Sequence, residues 1–115
     1  PIKIFVINNN GYGLIKQTQD TWLNSRRVGV DSESGLAMPN LIKIANAYGI
    51  KTVEINNHNE MGVKLKQILK SKSPILCDVI VDEKQKVIPK LEFGREIHDL
   101  SPRLSEEEMN LNMIK

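Results

Sequence analysis

Ile4-Phe5-Val6-Ile7-Asn8-Asn9-Asn10-Gly11-Tyr12-Gly13 is an apolar run that stops abruptly on three amides and two glycines. Ile4 to Ile7 are all β-branched or aromatic, the composition of a strand buried on both faces, as parallel strands covered by helices are. The amides then fall at the strand's carboxyl end, the edge at which open α/β sheets bind ligands. Asn side-chain oxygens and bare backbone carbonyls beside glycine are donors that a hard cation such as magnesium accepts. The alternative for the same residues is a hairpin, since Asn-Gly between apolar runs is a strong turn signal. Leu14-Ile15-Lys16-Gln17-Thr18-Gln19-Asp20 does not alternate as a returning strand should, and it reads as a solvated helix instead.

Working outward, Gly13 to Leu23 is expected to be helical, with Leu14, Ile15, Thr18 and Trp22 sharing a face. Its start would point at the amide turn, where unpaired N–H groups and the positive dipole end suit phosphate or pyrophosphate. Asn24 to Met38 is rich in Ser, Gly, Asp and Arg in irregular order and reads as a long loop, a kind that is usually functional or mobile. Pro39 is expected to open a helix, with Leu41, Ile44, Ala45 and Tyr48 along one side and Gly49 closing it. Lys51 to Ile55 reads as a strand with Val53 and Ile55 inward. Asn57 and Glu60 form a capping pair for a helix whose buried stripe is Met61, Leu65, Ile68 and Leu69. Pro74 to Val81 is a further buried strand carried by Ile75, Leu76, Val79 and Ile80, with Cys77 as a small core residue. Ser105-Glu106-Glu107-Glu108-Met109 has a capping-box start and a short helix after it.

Composition sets the limits. With 115 residues, 40% of them hydrophobic, the chain is at most one ordinary domain and can bury one core. Sixteen basic against fourteen acidic residues, with no basic block, argue against a nucleic-acid partner. The lone Cys77 cannot form an internal disulfide, and no apolar stretch approaches the roughly 20 residues that span a bilayer, so a membrane is not expected and a cytoplasmic, reducing location fits. His58 and His98 lack further ligands at a useful spacing, so neither a zinc site nor a hydrolytic triad can be assembled. The chain begins with Pro1 almost directly in a strand, which reads as a portion of something longer.

Strand, helix, loop, helix, strand, helix, strand is an α/β alternation, and right-handed crossovers make its sheet parallel. Ile7 to Gly13, followed by Gly29-Val30-Asp31 and by Met38-Pro39-Asn40-Leu41-Ile42-Lys43-Ile44-Ala45-Asn46-Ala47-Tyr48-Gly49, resembles the thiamine-diphosphate-binding domain of the acetolactate synthase-like enzymes. The resemblance covers nearly the whole chain. It implies a truncated three-layer parallel sheet flanked by helices, with residues 1–115 the later part of that domain and 87–115 a C-terminal tail ending in a short helix. It implies thiamine diphosphate and Mg2+ as cofactors, the metal taking the side-chain oxygen of Asn9 and the backbone carbonyl of Gly11 and holding the diphosphate. Glycine suits position 11 because a main-chain ligand needs no side chain and the turn can demand an unusual φ. Asn8 would orient the turn, or be a satisfied amide on a strand end. Tyr12, Leu14 and Ile15 fall near the cofactor, with packing into the first helix as the alternative for Leu14 and Ile15. Arg26 or Arg27 would meet an anionic substrate, or face water.

The opening half of the family's cofactor motif, Gly-Asp-Gly, is absent from these 115 residues. The resemblance also implies no catalytic residue here, since the activating Glu would come from a pyrimidine-binding domain of a partner subunit in a homo-oligomer. The implied chemistry is decarboxylation of a 2-oxo acid and transfer of the acyl unit to a second carbonyl. The alternatives are a 2-oxo acid decarboxylase or lyase of the same superfamily, or a non-catalytic α/β module that binds metal or phosphate. Val87 to Gly94 lacks the Pro-Pro-Gly type sequence of authentic acetolactate synthases, which leaves the substrate open. By itself the chain is expected to have no turnover, to bind the cofactor weakly and to associate through exposed edges.

Overall fold

A computed structural model of the protein describes residues 1–113. It divides into two compact units, Pro1–Gln85 and a second beginning at Lys86. In the first, β1 (Lys3–Asn8), α1 (Gly13–Trp22), a 3-10 turn (Ser32–Ser34), α2 (Leu41–Ala47), β2 (Lys51–Ile55), α3 (His58–Lys70) and β3 (Ile75–Ile80) follow in order. The sheet order is β1-β3-β2 and both pairings are parallel. Register runs from Lys3 opposite Ile75 to Asn8 opposite Ile80 on one side, and from Lys51 opposite Ile75 to Ile55 opposite Val79 on the other. A hairpin at Asn9-Asn10-Gly11 is thereby excluded, since the strand beside β1 is β3, far along the chain and running the same way.

Residues paired across a parallel ladder project to the same face. Ile75, Cys77 and Val79 of β3 therefore share a face with Val53 and Ile55 of β2, and this face packs on Leu65 and Ile68 of α3 to make the core. Cys77 is wholly inaccessible, and burial pushes its thiol pKa up, so it acts as a small core residue. Asn57 caps α3 by accepting the N–H groups of Asn59 and Glu60 at 3.0 and 3.2 Å. The Glu60 carboxylate reaches back one residue further than a strict capping box, to the N–H of Asn56.

Several burial expectations fail, each for an identifiable reason. Ile4, Phe5 and Ile7 are exposed, Ile7 by 66%, because β1 is an edge strand with a single neighbour while α2 and α3 pack on β2 and β3. The face of α1 formed by Leu14, Ile15, Thr18 and Trp22 contributes no buried residue. In α2 only Ala45 is buried, Ile44 and Tyr48 facing outward; in α3 Met61 and Leu69 are exposed; in β3 Ile80 is. The helix near Pro39 starts two residues later, because Asn40 is a better cap: its side chain accepts the Lys43 N–H at 2.8 Å, leaving Pro39 outside. Its end is as expected, with Gly49 left-handed (φ 69°) and the N–H groups of Gly49 and Ile50 returning to the carbonyls of Asn46 and Ala45 in a Schellman arrangement.

The second unit holds a two-stranded antiparallel ribbon, β4 (Lys90–Leu91) with β5 (Leu100–Ser101), and α4 (Glu106–Asn112). Ser105 caps α4 by accepting the Glu108 N–H at 3.2 Å, as the sequence predicts. The ribbon is not foreseen, since two-residue strands carry no readable periodicity.

Candidate functional site

The three amides beyond β1 have three different fates. Asn8 is tethered to the carboxyl end of β3: its carbonyl accepts the Val81 N–H at 2.9 Å and its Nδ2 donates to Asp78 Oδ2 at 3.1 Å. The Asn8 Oδ1 accepts the Asn10 N–H at 2.9 Å, an Asx turn that carries Asn10 into the left-handed region (φ 55°). Asn10 Nδ2 in turn donates to Glu83 Oε1 at 2.8 Å. Asn9, between them, makes no side-chain hydrogen bond among the described residues.

The unusual φ expected at Gly11 falls on Asn10 instead, where the Asx turn sustains it. Gly11 is required for space: a Cβ there would run into the carbonyl oxygen of Val30, the oxygen that also accepts the Tyr12 N–H at 2.9 Å. A Cβ at Gly13 would meet only the end of the Asn9 side chain, which would have to turn aside to admit it. The two glycines thus let the 24–38 loop close on the turn from one side and let Asn9 lie against the first residue of α1 on the other.

At that start, Tyr12 occupies the cap position of α1 with no side-chain cap, and the first turn has no acidic residue. The opening N–H groups are left to whatever anion or water meets them. Tyr12, Leu14 and Ile15 are all more than half exposed beside this terminus, so Leu14 and Ile15 are not helix core. Asn9 Oδ1 and the Gly11 carbonyl are neutral oxygen donors, and no group of three or more His, Cys, Asp or Glu side chains could hold a metal ion among the described residues. Such donors fit a hard cation that arrives with its own anionic ligand, because neutral oxygens alone do not offset a divalent charge.

The loop is anchored by Asp31, which sequence reading quoted only as part of a motif. It is buried, caps the 3-10 turn by accepting the Ser34 hydroxyl and N–H at 2.6 and 3.0 Å, and pairs with Lys16 of α1 at 3.1 Å. Ser34, then Lys16, hold the Asp31 pKa down at about 2. The spacing Asp31-x-x-Ser34 is a capping signal that could have found it. Arg27 is committed to Asp20 in a bidentate pair at 2.8 and 3.0 Å and lies 3.6 Å from Asp31, and the Asp20 hydrogen bond raises its pKa. Of the two arginines offered for an anionic substrate, Arg26 alone is exposed. Asp78 and Glu83 were also missed, although a carboxylate inside the apolar run Ile75 to Ile80 is itself a signal.

Residues 1–79 match the family described as thiamine pyrophosphate enzyme, C-terminal TPP binding domain. The chain is 32% identical to the mitochondrial acetolactate synthase of Schizosaccharomyces pombe over 98 residues, 85% of this chain and 14% of that protein. It is 33% identical to the mitochondrial acetolactate synthase catalytic subunit of Saccharomyces cerevisiae, over 82% of the chain and 13% of the relative. Against the acetolactate synthase large subunit of Porphyra purpurea it is 35% identical, over 83% and 16%. The chain thus spans about a seventh of the length of these relatives. The parallel sheet and the sequence agree, and the chain belongs to the family of thiamine pyrophosphate enzyme C-terminal, TPP-binding domains.

Proposed function

We propose that residues 1–115 are the later part of the cofactor-binding domain of an acetolactate synthase-like enzyme, 87–115 forming its tail, and that the amide turn holds the diphosphate of thiamine diphosphate through Mg2+. The observation that carries this reading is the free Asn9 amide, fixed between two tethered amides and laid against an uncapped helix start. Asn9 Oδ1 and the Gly11 carbonyl are the metal ligands. The opening N–H groups of α1 receive phosphate oxygens, and Tyr12, Leu14 and Ile15 form the apolar wall that keeps water from the cofactor. When bound, thiamine diphosphate supplies the nucleophilic carbon and electron sink for decarboxylating a 2-oxo acid and passing the acyl unit to a second carbonyl. This chain's part is binding and orientation. The activating Glu belongs to the pyrimidine-binding domain of a partner subunit in a homo-oligomer, so the 115 residues alone have no turnover.

The relatives' names support the acetolactate synthase reading, and the absence of a Pro-Pro-Gly type sequence between Val87 and Gly94 favours a second one, a 2-oxo acid decarboxylase or lyase. For location, the relatives' names include mitochondrial and chloroplastic proteins; a reducing, cytoplasmic setting for this chain is supported by its single, buried, free cysteine, and no described helix is long and apolar enough to cross a membrane. The site is tested by Asn9→Ala in an enzyme carrying this domain. Loss of one oxygen from a cation that demands near-octahedral geometry is expected to lower activity by at least about tenfold and to raise the magnesium concentration needed for half activity. Unchanged rate and magnesium dependence would refute the assignment.

A further inference from the structure

Asp78 lies mid-strand in β3 and is 5% exposed. Its Oδ1 is buried without a hydrogen-bond partner, and its Oδ2 has Asn8 Nδ2 at 3.1 Å. A carboxylate in this position has no apolar purpose and only one side-chain donor to offset its desolvation. Releasing Asn8 would leave it wholly unpaired, so the Asn8 amide is locked with Nδ2 toward Asp78 and therefore Oδ1 toward the Asn10 N–H, the bond that holds Asn10 left-handed. Just beyond the same strand, Glu83 takes the Asn10 side chain at 2.8 Å.

We propose that Asp78 is a positioning residue for the amide turn, acting through Asn8 and seconded by Glu83, so that Asn9 and the Gly11 carbonyl are held in ligand geometry before any metal arrives. The proposal rests on the cofactor-diphosphate reading above. The brace is rigid because its parts are adjacent strands of one parallel ladder, Asn8 opposite Ile80 and Val6 opposite Asp78. Positions 8 and 78 lie on the same face, one register step of two residues apart, which is the separation their short side chains span. Neither carboxylate touches the metal in this scheme. Each orients an outer amide and leaves the middle one free, much as carboxylates behind metal-ligating groups fix those ligands.

The test uses the isotope-labelled 115-residue chain, with amide exchange at Asn10 reporting the turn and chemical-shift titration with magnesium thiamine diphosphate reporting affinity, since shifts read millimolar binding. Asp78→Leu replaces the carboxylate by an apolar side chain of similar reach. It is expected to keep the melting temperature, to speed Asn10 exchange at least about tenfold and to weaken the affinity by about 10–100-fold. Exchanging the partners, Asn8→Asp with Asp78→Asn, keeps a donor facing an acceptor and a carboxylate oxygen for Asn10, and should restore both readouts. Should Asp78→Leu not fold, Asn8→Ala, outside the core, must by itself speed Asn10 exchange and weaken binding. Unaltered Asn10 exchange in the folded variants, or a double exchange no better than Asp78→Leu, would overturn the proposal. If Asn9→Ala weakens binding and the Asp78 and Asn8 variants do not, the positioning role falls while the cofactor site stands. If none of these variants, Asn9→Ala included, alters the affinity, both fall.

Discussion

At Gly11 the amino acid is dictated by a neighbour rather than by torsion, because the Val30 carbonyl occupies the space of a Cβ. Gly11→Ala must push the loop off the turn and break the Tyr12 to Val30 hydrogen bond, at an expected cost of about 1–3 kcal/mol. A urea midpoint equal to that of the parent chain would show the contact to be soft. Asp31 makes a prediction in pH. Its carboxyl stays ionised in the folded chain down to about 2 against an ordinary 3.8, so the unfolded chain takes up the proton first as pH falls. Its contribution to stability is in full force above that ordinary value and is lost as pH falls from 3.8 to about 2. Urea unfolding across this window should show a steep loss in the parent chain that Asp31→Asn lacks, and Ser34→Ala should shift the loss to higher pH by removing the first cause of the depressed pKa. Equal pH slopes for parent and Asp31→Asn would contradict it. Residue types named the Asn9 turn in advance because a strand ending on amides and glycines is an unusual pattern. Asp78 and Glu83 were not legible as its braces, since parallel register joins residues some 70 positions apart in a way that no local periodicity encodes.

At the scale of elements, capping chemistry proved more legible than burial. Asn57, Ser105 and Gly49 close or open their helices as their residue types demand, whereas the apolar stripes of α1, α2 and α3 are buried only where a strand lies beneath them. Leu65 and Ile68 meet β2 and β3; Met61 and Leu69 do not. The stripe marks what a helix can bury, and the number of neighbouring strands decides what it does bury. Within α3, Gly62 has open space where a Cβ would stand and no positive φ, so it serves no close approach. Gly62→Ala should therefore stabilise the chain by about 0.5–1 kcal/mol through helix propensity alone, measured as a raised melting temperature. A lowered one would mean that the α3 surface packs on something.

In the whole molecule, the mismatch between composition and surroundings is concentrated at β1. Ile2, Ile4, Phe5 and Ile7 have the composition of an interior strand, yet β1 is hydrogen-bonded on one side only. Sequence order alone sufficed to predict a parallel sheet, because each strand is followed by a helix before the next strand. It could not reveal which strand would be central; β3, last of the three in the chain, is. The amide turn sits at the carboxyl end of that sheet, tied to the end of β3 and covered by the Val30 carbonyl. The most direct measurement of the central claim is a Mn2+ titration of the labelled chain in the presence of thiamine diphosphate, with the paramagnetic ion in place of Mg2+. Saturable line broadening centred on Asn9 to Ile15 and abolished by Asn9→Ala is the predicted result. Broadening confined to acidic stretches such as Glu106 to Glu108, with the turn resonances intact, would contradict it.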